Sequence, residues 1–381
     1  MTAITQSNPC TLAVTLISVL LFTFCSATYC ETAQNADEAS LAIASSNGIS
    51  PSRLLVKLWT SPGIFGEMKH AALVRGRLYV VGMPQSMVAF DGTHGTRLWT
   101  YASKHLINAR PTQFENTLYL VEGPDFVTVN ADTGRELTRM PTRLGVVGPL
   151  FPGDTSWTIG STNHRVYGLF TETGHPMWHV TLDGYVTHVA VRRQSLVFAQ
   201  TDAGSLNAVS RARHTLEWRH RFAKPACSPL TLCEKTLFVG NEDYYLYSFN
   251  CETGATEMRV CLSAPVMQKP VVTTSHVFAK TTDGILHAVN RDTYAEEWTL
   301  DSADRVLTAT KEHVLILKTV DGAHHVAIAD LKSGTILSEA SASRFKTFVA
   351  TPNSGVVYAI APNGEVLAFA DRTAPSLAEK E

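Results

Sequence analysis

Positive charge is missing from the start of this chain: no lysine or arginine precedes Arg53. Charge is sparse throughout, with 17% Asp, Glu, Lys and Arg, a net charge of −2 and no basic run. A nucleic-acid partner normally requires a basic face, so that class is set aside. Cysteine is scarce beyond the first thirty residues, where only Cys227, Cys233, Cys251 and Cys261 remain. No two cysteines are adjacent, and no Cys-x-x-Cys, phosphate-cradling glycine loop or Ser/His/Asp set stands in an activating context. No Asn-x-Ser/Thr acceptor occurs either, which favours a bacterial envelope over a eukaryotic secretory route.

Long apolar runs are absent with one exception. Residues 11–27, TLAVTLISVLLFTFCSA, sit at the short limit of a membrane span and end in the small residues Cys25, Ser26 and Ala27. This reads as the apolar and cleavage regions of an export signal over residues 1–30, without the usual positive start. An uncleaved anchor and a lipid on Cys30 are the alternatives, and either would still export the remainder of the chain. Membrane association is expected only through this segment or through a partner. Residues 31–52 are small, polar and aperiodic, and read as a flexible linker. The folded body is assigned to 53–371 and a disordered tail to 372–381.

What the body has in abundance is period. Trp59, Trp99, Trp178, Trp218 and Trp298 stand at multiples of about forty residues, with Thr138, Met258 and Ser338 on the unfilled marks. Four residues before most marks comes a turn glycine: Gly95, Gly134, Gly174, Gly254 and Gly334, with His214 and Tyr294 in two slots. Six residues before those comes a small side chain, as at Ala89, Thr128, Gly168, Ala208, Ser248 and Ala288. A period this short accommodates four strands and their turns, the size of one propeller blade. Within residues 269–300, for example, Pro270 opens an inner strand and Asp283-Gly284 supplies a tight hairpin turn.

Seven units are centred on residues 69–101, 107–140, 146–180, 186–220, 226–261, 266–300 and 305–340. Phe345 to Ala370 holds three further strands, and Leu54 to Trp59 is a lone strand that carries a tryptophan. Joined, they make an eighth blade. The expected fold is therefore an all-β, eight-bladed β-propeller of four-stranded antiparallel blades, its ring closed by the N-terminal strand and so free of exposed edges. The tryptophans and turn glycines form a structural girdle. The small residue leaves room for the indole to lie across a neighbouring blade, burying about 150–250 Å², or roughly 4–6 kcal/mol before entropy.

The pattern small-x-x-x-x-Thr-Gly-x-x-x-Trp, seen in Ala89 to Trp99 and in Thr173-Gly174-His175-Pro176-Met177-Trp178, resembles the quinoprotein-like (PQQ-like) repeat. Over residues 53–370 the chain is most similar to the BamB branch of that family, accessory proteins of the outer-membrane β-barrel assembly machine. The resemblance implies a non-catalytic scaffold in the periplasm or at the outer-membrane periphery, binding an envelope protein such as the barrel-assembly protein. The chain departs from the branch in its minimal connection Leu182 to His188, so no partner-binding residue is carried over. For the dehydrogenases of the wider family the resemblance would call for an axial calcium site and often an adjacent-cysteine disulfide. No Cys-Cys pair exists here, and Asp183, Asp202, Asp283 and Asp321 sit at turns. No catalytic, cofactor or metal residue is assigned, and no cofactor is expected.

Three further readings come from the strand order. His324-His325 and the pair His175/His179 read as exposed turn histidines, because residues four apart on a strand are about 13 Å apart. Cys233 and Cys251 fall two strands apart, too distant to bridge, so buried free thiols are expected for the four late cysteines. Loops gathered round the axis make Arg143, Tyr185, His188 and Arg305 the candidates for contact with a partner. A ligand-sensing or peptide-binding propeller is the alternative function.

Overall fold

Alternating side chains and frequent turns cut each repeat into four short strands that pair with their sequence neighbours. In residues 186–221 these are Val186–Arg192, Leu196–Thr201, Ser205–Ser210 and Leu216–Arg221, antiparallel and in that order. The computed structural model describes residues 43–44 and 54–374, apart from 65, 154–155, 193–194 and 226. Within them, seven blades begin on inner strands at Glu67, Thr112, Val146, Val186, Thr231, Val271 and Ala303. The eighth combines Thr347–Ala350, Val356–Ile360 and Val366–Asp371 with Leu55–Ser61 as its outermost strand. The chain is thus an eight-bladed β-propeller closed by its N-terminal strand, with no helix among the described residues.

The core lies between blades. Eight apolar clusters each join residues of two neighbouring blades, one cluster to each gap. At the seam, for example, Trp59, Val356 and Ala368 of blade eight pack with Met68, Leu78 and Val80 of blade one. Closure is therefore a packing requirement: an open ring would leave two such faces in water.

The repeated tryptophan ties these gaps together. Each indole lies directly opposite the small residue across the last two strands of its own blade: Trp59 faces Ala368, Trp99 faces Ala89, Trp178 faces Gly168, Trp218 faces Ala208 and Trp298 faces Ala288. The small partner lets the ring cross its own blade and reach the next one, as expected. There it covers the turn glycine of that blade: a Cβ added at Gly95, Gly134, Gly254 or Gly334 would come within 2.3–2.6 Å of an indole carbon of Trp59, Trp99, Trp218 or Trp298. Each of these four indoles also donates its N–H to a carbonyl of the same turn, on Gly92, Ala131, Cys251 and Leu331, at 2.8–3.1 Å.

The gaps in the ruler are explained by volume. Ser338 faces Ile328, so the large side chain has changed strands. Thr138 faces Thr128 with the two hydroxyl oxygens 2.6 Å apart, and Met140 packs over Gly174 instead. Where His214 occupies the glycine slot, its ring stacks on Trp178 with centroids 4.7 Å apart and planes inclined by 16°.

Other expectations resolve in detail. Ile43–Ala44, in the stretch read as linker, pairs with the outer strand Ile336–Ser341 as a fifth strand of blade seven. At the other end Arg372 donates its backbone N–H to Leu54 at 2.8 Å, and the Thr373 hydroxyl donates to Asp371 at 2.7 Å. The proposed export signal and residues 375–381 lie outside the described residues. Of the histidines read as turn residues, His175 is in a turn, but His179, His324 and His325 are within strands. The hairpin of blade seven is extended through Val320 and Ala323, which draws the His pair into the ladder. The four late cysteines are free thiols, with Cys233 and Cys251 on either side of Thr236–Gly240, but only Cys251 is buried: Cys227 and Cys233 are half-buried, and Cys261, at the end of an outer strand, is exposed.

Candidate functional site

The innermost strand of every blade has one edge without a strand partner, and that edge faces the axis. Proline, which cannot donate to a ladder, is tolerated there. Pro111, Pro229 and Pro270 each immediately precede, or nearly precede, a short inner strand: Thr112–Phe114, Thr231–Cys233 and Val271–Val272. In blade four, without such a proline, the inner strand is seven residues long. The residue before proline is kept out of helical conformations, so its backbone stays extended as the chain approaches the axis. Arg110 and Lys269 occupy two of those positions.

Two connected cavities run along the axis, of about 990 Å³ and about 710 Å³, and share Arg110, Leu232 and Lys269 in their walls. Between them they touch the inner strand or its approach in all eight blades, from Ala71 in blade one to Ala350 in blade eight. The wall is mostly Val, Leu, Ala and Pro, yet it contains Arg110, Arg143, Lys269 and Arg305 and, among the described residues, no carboxylate. Arg305 donates to the Phe348 carbonyl at 3.0 Å. The carboxylate nearest to it in effect is the preceding Asp304, which lies within reach of Lys280 at 3.6 Å.

The electrostatics record this concentration of one sign. Enclosure by the ring lowers the pKa of Lys269, and the charge of Arg110 lowers it further. Arg305 is depressed by the same two causes in the same order. His70 is lowered first by burial and also by Arg110, and His188 first by burial and also by Lys269. The ends of Lys269, Arg110 and Arg305 are open to the lumen, so water screens them in part, and Asp304, beside Arg305, offsets part of the repulsion from outside the wall.

The four loop candidates separate on this geometry. Arg143 lines the larger cavity and Arg305 the smaller, and the shared Arg110 and Lys269 connect them. Tyr185 and His188 are not in either wall. Tyr185 is exposed in the connection between blades three and four and packs on His164 with ring centroids 4.3 Å apart. His188 is half-buried in Val186–Arg192 opposite Gln200. Reading by loops missed Arg110 and Lys269. The signal available for them was a basic residue directly before a proline at the start of an inner strand.

A second surface lies on the circumference. Most outer strands carry a bulge just before the tryptophan mark, and the bulged residue is Leu58, Leu98, Leu137 and Met177 in blades eight, one, two and three. All four are exposed, from 36% to 51%. In blades four, five and six the same position is Glu217, Glu257 and Glu297. In blade seven it is the half-buried Leu337, so this position is apolar in five blades and acidic in three.

Fold and repeat together define a class: an eight-bladed propeller built of PQQ-like repeats. The model of the family described as outer membrane protein assembly factor BamB matches residues 56–137, 127–231, 162–257 and 203–380, and the chain belongs to that family. Among solved structures, the crystal structure of BamB from Moraxella catarrhalis is similar with a TM-score of 0.66 at 16% identity, covering 84% of this chain and 99% of that one. The computationally designed Ika8 protein is similar with a TM-score of 0.65 at 14% identity, covering 82% and 99%. At such identities both likenesses concern the fold alone. No curated protein matches the chain.

Proposed function

We propose that this protein is a non-catalytic binding scaffold of the cell envelope that assists the assembly of outer-membrane proteins. Membership of the assembly-factor family over residues 56–380 carries the reading. The exposed aliphatic arc of Leu58, Leu98, Leu137 and Met177 supports a protein partner, since repeated apolar exposure on one side of a soluble ring is a feature of interaction surfaces. The protein reaches its partner through the export signal assigned to residues 1–30. Tyr185, in the connection between blades three and four, and His188, on the strand that follows it, mark a second place for contact.

The test is an affinity pull-down from detergent-solubilised envelope, with the full chain tagged at its C-terminus and mass spectrometry as the readout. Recovery of the barrel-assembly protein is expected from the wild type. It is expected to drop at least tenfold when Leu58, Leu98, Leu137 and Met177 are all replaced by Glu, the residue of blades four to six. Absence of that machine from the wild-type sample, with the protein folded and abundant, would refute the scaffold reading. Unchanged recovery with the arc replaced would transfer the contact to Tyr185 and His188.

A further inference from the structure

The axial channel has a composition that the scaffold reading does not use. Arg110, Arg143, Lys269 and Arg305 line it, and its described wall contains no Asp or Glu. Arg110, Arg143 and Lys269 have no ion pair or hydrogen-bonded partner among the described residues, and Arg305 has only the Phe348 carbonyl. All four side chains are donors without acceptors. Cations on a surface would be separated by solvent. Here a closed ring of strands holds them around one lumen, where Arg110 acts on Lys269, Arg305 and His70 together. Such mutual repulsion raises the free energy of the empty ring, and an anion that bridges the cations relieves it.

We propose that the axial channel is a binding site for a small oxyanion with two or more charged groups, of the phosphate or polycarboxylate class. Arg110 and Lys269, in the wall common to both cavities, grip it, and Arg143 and Arg305 guard the two extensions. One charge would leave cations unmatched. A guanidinium takes an oxyanion by parallel N–H bonds, which favours a planar carboxylate or a phosphate over a halide. The apolar remainder of the wall adds enclosure without competing acceptors. About 710 Å³ in the smaller cavity alone is ample for such a ligand.

The experiment is isothermal titration of the full chain with inorganic pyrophosphate in one arm and citrate in the other, with acetate as the singly charged comparison, all in 150 mM sodium chloride. One saturable site is expected for pyrophosphate or citrate, with acetate at least tenfold weaker. The arm that binds more tightly identifies the phosphate or the carboxylate source. Arg110→Gln and Lys269→Gln are each expected to weaken binding tenfold or more, whereas Lys311→Gln, at an exposed turn of blade seven, leaves it unchanged. Removing one of several like charges relieves repulsion, so both channel variants are expected to melt at or above the wild-type temperature, which separates lost binding from lost folding. Failure of both multivalent anions to saturate, or equal weakening by Lys311→Gln, would overturn the proposal. Neither result bears on the pull-down, which reads the rim and loops.

Discussion

Gly174 and Gly334 occupy the same slot of the same repeat with nearly identical backbones, φ +68° and +69°, yet alanine should affect them very differently. The conformational part is common to both: an L side chain in the left-handed region costs about 1–2 kcal/mol. At Gly174 the new Cβ meets Met140 and Phe126 at 3.6 Å, ordinary contact, so nothing more is added. At Gly334 it would lie 2.6 Å from Cδ2 of Trp298, a ring that is 7% exposed and whose N–H donates to Leu331 at 2.9 Å. The indole must swing away. Losing that hydrogen bond costs about 1 kcal/mol and exposing part of the ring about 1–2 kcal/mol. Gly334→Ala is therefore expected to cost about 2–3 kcal/mol more than Gly174→Ala.

For a domain of this size about 2 °C of melting temperature corresponds to each kcal/mol. The expected falls are about 2–4 °C for Gly174→Ala and about 6–10 °C for Gly334→Ala, read by circular dichroism with calorimetry as a check on cooperativity. Repeating the Gly334 change in a Trp298→Ala background should shrink its effect to that of Gly174→Ala, because the clash has been removed. Equal shifts for the two single variants, or a Gly334 effect that survives loss of the indole, would refute the account of the girdle.

Other parts of the ring yield independent predictions. Arg139 donates to Glu122, Asp125, Glu136 and the Tyr101 hydroxyl, and Glu122 is fully buried. Arg139→Ala should cost about 3–5 kcal/mol by leaving that carboxylate without a countercharge, held only by the Tyr101 hydroxyl and the backbone N–H groups of Lys104 and His105, and a denaturation midpoint within error of wild type would contradict it. Burial pushes the Cys251 thiol up to about 11, whereas Cys261 is exposed, so thiol-directed labelling at pH 8 followed by peptide mapping should mark Cys261 first and Cys251 only after unfolding. His70, His188 and His220 are all lowered below the ordinary value of 6.5, chiefly by burial. The folded state then binds fewer protons than the unfolded one, so their share of stability is complete above pH 6.5 and lost as pH falls from 6.5 through the folded values. The urea midpoint should decline from pH 7.5 to 5.5, and less steeply in His220→Phe, whose ring keeps the contacts with Phe222 and Phe249. A midpoint that rises with acidification would reverse the sign of the argument.

The sequence by itself determined the architecture. Blade number, four strands per unit and the N-terminal closing strand were all legible, because a repeat states the same local rule many times and chance copies do not stay in register. The small residue and tryptophan were legible as a pair, but not as partners directly opposite each other, since the bulge that aligns Ala89 with Trp99 is a property of the ladder. The exchange of volumes between Ile328 and Ser338 was hidden for the same reason. Only the tertiary structure assembled the channel. Arg110 and Lys269 are separated by nearly four repeats, and the proline that follows each does not reveal that they share a lumen. The closed ring brings their inner strands to one axis, and there long-range geometry makes a shared positive lumen from charges that appear scattered along the chain.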